Sequence, residues 1–270
     1  MDNNNLILGL QDKAKSFRRD IIEMLYKSQS GHPGGSLSAV DILTALYFHK
    51  MHVDPKKPDL PGRDRFVMSK GHATPGLYTV LAGKGFFPRE ELWHFRQINS
   101  LLQGHADINI PGVEASTGSL GMGLSFGNGL AMAKKIDKLH HKIIVLMGDG
   151  EQQEGQVWEA AMTASHHKLD IIAIIDKNGI QNDWFVNETK IVDPLPDKWR
   201  AFGWHVEEGD GHDMHSIVST LDKLWGMQGP RIAIFHTVKG KGVSFMENNP
   251  EFHGRAPNQE EYRKAMEELK

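Results

Sequence analysis

Ile143-Ile144-Val145-Leu146-Met147-Gly148-Asp149-Gly150 is the stretch on which the fold turns. The apolar run has the length and branching of a buried strand, and the glycines after it leave no side chain between the backbone and a ligand. A second run, Ile171-Ile172-Ala173-Ile174-Ile175, is followed by Asp176-Lys177-Asn178-Gly179-Ile180. If the two strands lie side by side and parallel, their carboxyl ends bring the Asp149 carboxylate, the Asn178 amide oxygen and nearby carbonyls to one crevice. Open α/β sheets bind their ligands there. Magnesium takes about six hard oxygen ligands and shares them among one or two protein groups, water and phosphate. One Asp, one Asn and a carbonyl fit that habit, so the pair reads as a magnesium site for a diphosphate. Gly-Asp-Gly alone is an ordinary turn; a strand before each half sets this one apart.

Working outward, Phe17, Ile21, Met24 and Leu25 recur at helical spacing and predict an amphipathic helix over 11–28. Ser38 with Asp41 resembles a capping box, with an apolar face continuing through Leu43, Leu46 and Tyr47 towards His49. A short strand over 64–68 delivers Ser69-Lys70-Gly71-His72, and Thr74 caps a helix that has Pro75 at its first position. Helices are expected over 121–138 and 156–167, then a strand (204–207), a helix (213–226), a strand (231–235) and a terminal helix from about 258. Strands alternating with helices predict an α/β fold, a mostly parallel sheet with helices on both faces.

Composition narrows the class of protein. With 270 residues, 39% of them hydrophobic, there is core enough for one large domain, and no Pro- or Ser-rich linker divides it. A net charge of −3 gives no reason to expect nucleic acid or an anionic membrane as partner. The absence of cysteine excludes disulfides and thiol chemistry and fits a reducing compartment. Met1-Asp2-Asn3-Asn4-Asn5 lacks the basic and apolar regions of a signal peptide, and no apolar run reaches the ~18 residues that span a bilayer. A cytoplasmic protein is expected.

Gly148-Asp149-Gly150, 27 intervening residues and Asn178, each half after a strand, resembles the fingerprint of thiamine-diphosphate enzymes. The resemblance extends to Ser30-Gly31-His32-Pro33-Gly34-Gly35, Ser69-Lys70-Gly71-His72-Ala73, Gln103-Gly104-His105, Thr117-Gly118-Ser119-Leu120-Gly121 and His253-Gly254. Gly203-Trp204-His205-Val206 and Thr237-Val238-Lys239-Gly240-Lys241-Gly242 continue it. In this order the motifs are similar to the amino-terminal region of transketolase, from about residue 12 to 257. A fused transketolase carries two further domains, so the resemblance implies the separately encoded amino-terminal subunit of a split transketolase. Residues 1–270 would form its single diphosphate-binding domain, acting in pentose phosphate metabolism.

That resemblance implies thiamine diphosphate and Mg2+, with Ca2+ or Mn2+ as substitutes. Asp149, Asn178 and the Ile180 carbonyl would hold the metal. Gly150 would offer its N–H to the diphosphate, and Gly118 and Leu120 would line the ring-binding part of the site. Of the histidines at family positions, His105 and His253 fit hydroxyl and proton-transfer roles, while His32 and His72 contact the donor carbonyl region and the diphosphate. Imidazole titrates near neutrality and can do either. Glu154 would belong to a carboxylate network joining two cofactor sites across a dimer interface; the plainer reading is a Glu favoured by a helix N-terminus. His49, His94, His140, His166, His167, His205, His212 and His215 read as structural or solvent-exposed. Lys239 and Lys241 match no Walker pattern and read as loop residues, at best near the cofactor. Ser119 and Met122 stand where the family has Pro and Gln, and Trp184 where it tends to have Gly.

The aminopyrimidine-activating glutamate and most groups that hold a sugar phosphate come, in that family, from another domain. The implied partner is therefore a carboxyl-terminal subunit with pyrimidine-binding and carboxyl-terminal domains, in an assembly of two of each. Three readings compete: transfer of a two-carbon ketol unit between sugar phosphates; a related reaction, on an unusual sugar or as the alpha subunit of a 2-oxo acid dehydrogenase; and a non-catalytic binding subunit. Gly-His-Pro-Gly, Lys-Gly-His-Ala and Gln-Gly-His favour the ketol-transfer branch.

Overall fold

The computed structural model describes residues 3–182 and 184–270. Met1 and Asp2, part of the segment that reads as lacking a signal peptide, lie outside the described residues. In chain order the elements are α1 (Asn3–Ser28), α2 (Pro33–Ala45), β1 (Arg65–Met68), α3 (Thr74–Lys84), α4 (Met122–Ile136), β2 (Ile143–Gly148), α5 (Gly155–His166) and β3 (Ile171–Lys177). There follow α6 (Val186–Thr189), α7 (Leu195–Ala201), β4 (His205–Asp210), α8 (Met214–Trp225), β5 (Pro230–His236) and α9 (Gln259–Glu268).

All strand pairs are parallel, in the order β1-β2-β3-β5-β4. Successive residues of a strand point to opposite faces, and the two central runs are apolar throughout because both faces are covered. Ile144, Leu146, Ile172, Ile174 and Phe235 pack with Leu25 of α1, Leu43 of α2 and Leu221 of α8. Val145, Met147, Ala173, Ile175 and Ile234 pack on the other side with Leu124 of α4, Ala161 of α5 and Trp199 of α7. Each fully buried aliphatic side chain contributes about 1.5–3 kcal/mol. A charge placed at Ile174 would be buried without a partner. Among the described residues no helix is long and apolar enough to cross a membrane.

Register positions the site. Met68 pairs with Leu146, Gly148 with Asp176, and Lys177 with His236, so β1, β2, β3 and β5 end at one edge of the sheet. Ser69-Lys70, Asp149, Asn178 and the loop after His236 all emerge there.

Several expectations need correction. The first helix begins at Asn3, because Ile7, Leu10 and Ala14 continue its buried stripe towards the amino end. Ser38 caps nothing: α2 starts five residues earlier, with Pro33 in its first turn, and the Ser38 hydroxyl donates to Asp176 Oδ2 at 2.6 Å. The segment after α2 winds as one π-helical turn, Leu46–Lys50. Ala73, not Thr74, occupies the N-cap of α3, and Thr74 Oγ1 donates to the Gly104 carbonyl at 3.2 Å. β4 reaches Asp210, three residues beyond the expected end, because β5 pairs with it along its whole length. The short helices α6 and α7 carry too little periodicity to be read from sequence.

Candidate functional site

Two residues after β1 comes Lys70, whose ammonium is buried against Asp176 near the end of β3 and donates to the Gly35 carbonyl at 3.1 Å. Asp176 also accepts from Ser38 Oγ and Thr237 Oγ1. Burial alone would raise its carboxyl; Lys70 and the two hydroxyls hold it below the ordinary carboxylate range. Four elements are thereby tied by one ion.

Asp149 leaves the end of β2 with both oxygens occupied, Oδ1 by Gly150 N–H at 2.9 Å and Oδ2 by Gly179 N–H at 2.6 Å. Gly179 has φ +78°, a left-handed conformation that suits glycine and aims its N–H at the carboxylate. Burial pushes the Asp149 carboxyl up to about 6, with those N–H groups opposing. Asn178 accepts the Ile180 N–H on Oδ1 at 3.1 Å and turns its Nδ2 to Ser38 Oγ at 3.3 Å. Behind them Glu151 accepts from Ser69 Oγ, Gly121 N–H at 2.8 Å and Gly148 N–H at 3.0 Å, which joins β1, the start of α4 and β2.

These groups surround a cavity of about 330 Å³ at the carboxyl edge of the sheet. Its lining includes His32, His72, Gly118, Leu120, Asp149, Gly150, Glu154, Asn178, Ile180 and His253. Of the expected residues, only His105 stands outside this lining, its ring 6.1 Å from that of His32. The His32, His72 and His253 rings lie 5.1–5.5 Å apart, centre to centre. Burial, reinforced by Arg96, His105 and Lys239, lowers His32 to about 4. Burial and then Lys239 lower His253 to about 3, and burial with Lys70 holds His72 well below the usual value. Burial and Arg96 lower His105. All four are neutral near pH 7, so each ring has one nitrogen that donates a hydrogen bond and one that accepts.

Sequence reasoning passes over two lysines. Lys70 lies within a motif that gives it no role of its own, and Lys239 reads as a loop residue, yet both line the cavity and both are buried. The Lys239 ammonium donates to the Ile180 carbonyl at 2.7 Å and to His253 Nδ1 at 2.8 Å. Burial, with Lys70 adding repulsion, lowers it to about 7. Two lysines beside glycines in a chain already rich in histidine motifs were the available signal. Glu154 is exposed at the cavity rim and makes no side-chain cap to α5. Trp184 is half exposed, bonds Glu188 through Nε1 and lies outside the lining.

The residues fit an anionic cofactor held through a cation. His32 Nδ1 is buried without a partner among the described residues, two ammonium groups face the cavity, and a Cβ on Gly35 would lie 3.4 Å from both His72 Nε2 and Lys70 Nζ. Among the described residues no group of three or more Asp, Glu or His side chains gathers to bind a metal. A cation here would need Asn178, a carbonyl and oxygens brought by its ligand, as suits magnesium.

Residues 11–269 match the family model described as the transketolase thiamine diphosphate binding domain. The chain is 45% identical over 262 residues to an apulose-4-phosphate transketolase subunit of Phocaeicola vulgatus, covering 96% of this chain and 93% of that one. It is 43% identical over 265 residues to the 6-deoxy-6-sulfo-D-fructose transketolase subunit SqwG of a Clostridium species, covering 97% and 96%. The crystal structure of transketolase from Campylobacter jejuni superposes with a TM-score of 0.91 at 35% identity, over 96% of this chain and 42% of that one.

Proposed function

Because the chain belongs to the transketolase family, as a thiamine-diphosphate-binding domain, we propose that it is the amino-terminal subunit of a split transketolase. It would move a two-carbon ketol unit from an anionic ketose to an aldose phosphate. The observation that carries the reading is the meeting of Asp149, Asn178, Lys239 and three neutral histidines around one cavity. Near-complete coverage of two relatives named as subunits supports a separately encoded partner, and the substrates in the names of those relatives favour an unusual sugar over the common pentose phosphates.

Bound thiamine diphosphate supplies the thiazolium carbon that adds to the ketose carbonyl and the electron sink that lets the adjacent carbon–carbon bond break. The chain's own residues bind, orient and manage protons. Asp149, Asn178 Oδ1 and the Ile180 carbonyl would hold the cation. Lys239, which donates to that carbonyl here, would be near enough to neutralise phosphate charge. Lys239 donates to His253 Nδ1, so the neutral ring carries its proton on Nε2, a donor for an oxygen that gains negative charge. His32 and His105, neutral rings near each other, exchange hydrogen bonds with the oxygens of the sugar, and His72 with the diphosphate. Glu154, exposed at the rim, would join a carboxylate network with a second cofactor site across a dimer interface.

The test is a coupled assay of the chain with and without a carboxyl-terminal transketolase subunit, in thiamine diphosphate and Mg2+. Xylulose 5-phosphate, apulose 4-phosphate and 6-deoxy-6-sulfofructose serve as donors in turn, each with an aldose phosphate acceptor. Turnover only in the mixture is expected. Turnover by the chain alone, or cofactor binding without ketol transfer from any donor, would overturn the reading.

A further inference from the structure

The loop that carries Lys239 is held by a second set of buried charges outside the cavity. His212, in the turn between β4 and α8, places Nδ1 2.8 Å from Asp41 Oδ2 and accepts the Val238 N–H on Nε2 at 2.8 Å. A backbone amide only donates, so Nε2 must keep its lone pair and the ring proton sits on Nδ1, donated to Asp41. Asp41 of α2 is fixed in turn by both terminal nitrogens of Arg18 from α1, and Arg18 Nε donates to the Lys241 carbonyl at 3.1 Å. The same Arg18–Asp41 pair therefore holds the loop at Val238, through His212, and at Lys241 directly. Lys239 lies between these two anchors. Turn geometry holds His212 itself, whose N–H donates to Asp210 Oδ1 at 2.8 Å.

We propose that His212 is a positioning residue: it links the buried Arg18–Asp41 pair to the Val238 N–H and so fixes where the Lys239 ammonium enters the cavity. It touches neither cofactor nor substrate. Freed at Val238, the loop would carry the Lys239 ammonium away from the Ile180 carbonyl and His253 Nδ1, which it now reaches at 2.7 and 2.8 Å.

Two amides separate this role from simple packing. His212→Gln can set its amide oxygen where Nε2 stands and keep the bond from the Val238 N–H; His212→Asn is one methylene shorter, can set its amide nitrogen only where Nδ1 stands, and keeps Asp41 but not Val238. In calorimetric titration of the full chain, assembled with its partner subunit, with thiamine diphosphate and Mg2+, H212N should raise Kd about tenfold, the worth of one hydrogen bond, and H212Q within about twofold. In a Lys239→Met background the two amides should differ by less than about twofold, because the lever has lost its load. Equal losses in H212N and H212Q, or the same tenfold gap without Lys239, would overturn the proposal. Should H212N fail to fold, amide exchange of the unaltered chain decides. A protected Val238 amide supports the clamp, and one exchanging as fast as an exposed loop amide overturns it. The titration rests on the cofactor reading; unaltered enzyme that takes up no thiamine diphosphate defeats that reading and leaves exchange to judge His212.

Discussion

Lys239 and Asp149 are both poised near neutrality, and their shifts have opposite consequences for an anionic ligand carried by a cation. Lys239 is lowered to about 7 by burial and Lys70, so a diphosphate that stabilises the ammonium binds progressively less well as pH rises through 7. Asp149, raised to about 6 by burial, must be ionised to hold the cation, so affinity falls as pH drops through 6. The apparent affinity for thiamine diphosphate with Mg2+ should peak between those values in a fluorescence titration, and Lys239→Met should remove the alkaline limb. A flat profile from about pH 5 to about 9 would contradict the assignment. Asp149 also sets a stability prediction. Its folded value exceeds the ordinary 3.8, so the cofactor-free chain loses stability as pH rises from about 4 through about 6 and carries the full cost above that. Asp149→Asn should therefore stabilise the cofactor-free chain at pH 7 by about 1–3 kcal/mol in urea unfolding while abolishing metal-dependent cofactor retention. Lower stability would mean that the two N–H bonds outweigh burial. At this scale Asp149, Asn178 and the motif histidines were legible, since each sits in a short pattern of defined spacing. Lys239 was not, because its meaning lies in Ile180 and His253, 59 and 14 residues away.

α4 shows how an element is fitted to the site. A Cβ on Gly123 would fall 2.3 Å from Ser69 Oγ and 2.8 Å from Ser69 Cα, backbone that cannot swing aside. Gly123→Ala should push the helix from the end of β1, disturb the Ser69–Glu151 bond and cost about 1–3 kcal/mol. Gly129 of the same helix has nothing among the described residues within 4 Å of its would-be Cβ, and Gly129→Ala should stabilise by about 0.5–1 kcal/mol through the unfolded chain. Urea midpoints of the two variants moving in the same direction would refute this account of α4. The sequence showed the helix and its glycines. It could not tell the contact glycine from the free one, because periodicity marks a face and not a distance. Ser38 makes the same point: its spacing to Asp41 imitates a cap, and the fold uses its hydroxyl on Asp176, 138 residues away.

Across the whole molecule, ligand binding should appear as stability. At a concentration about 100-fold above Kd a ligand adds about 2.7 kcal/mol, worth a few degrees in the melting midpoint of a domain this size. Thiamine diphosphate with Mg2+ should give that rise, chelation of the metal should remove most of it, and the carboxyl-terminal subunit should enlarge it; an equal rise with and without metal would place the cofactor elsewhere. What the sequence by itself determined is the parallel α/β sheet and the edge at which chemistry gathers. Two apolar runs of strand length, each ending in glycine and a polar ligand, have few other ways to bury themselves. What only the tertiary structure decided is the charge state of that edge: Lys70 on Asp176, Lys239 on His253, and the Arg18–Asp41–His212 brace. These are through-space contacts between distant segments, and burial sets their strength, which no local pattern records.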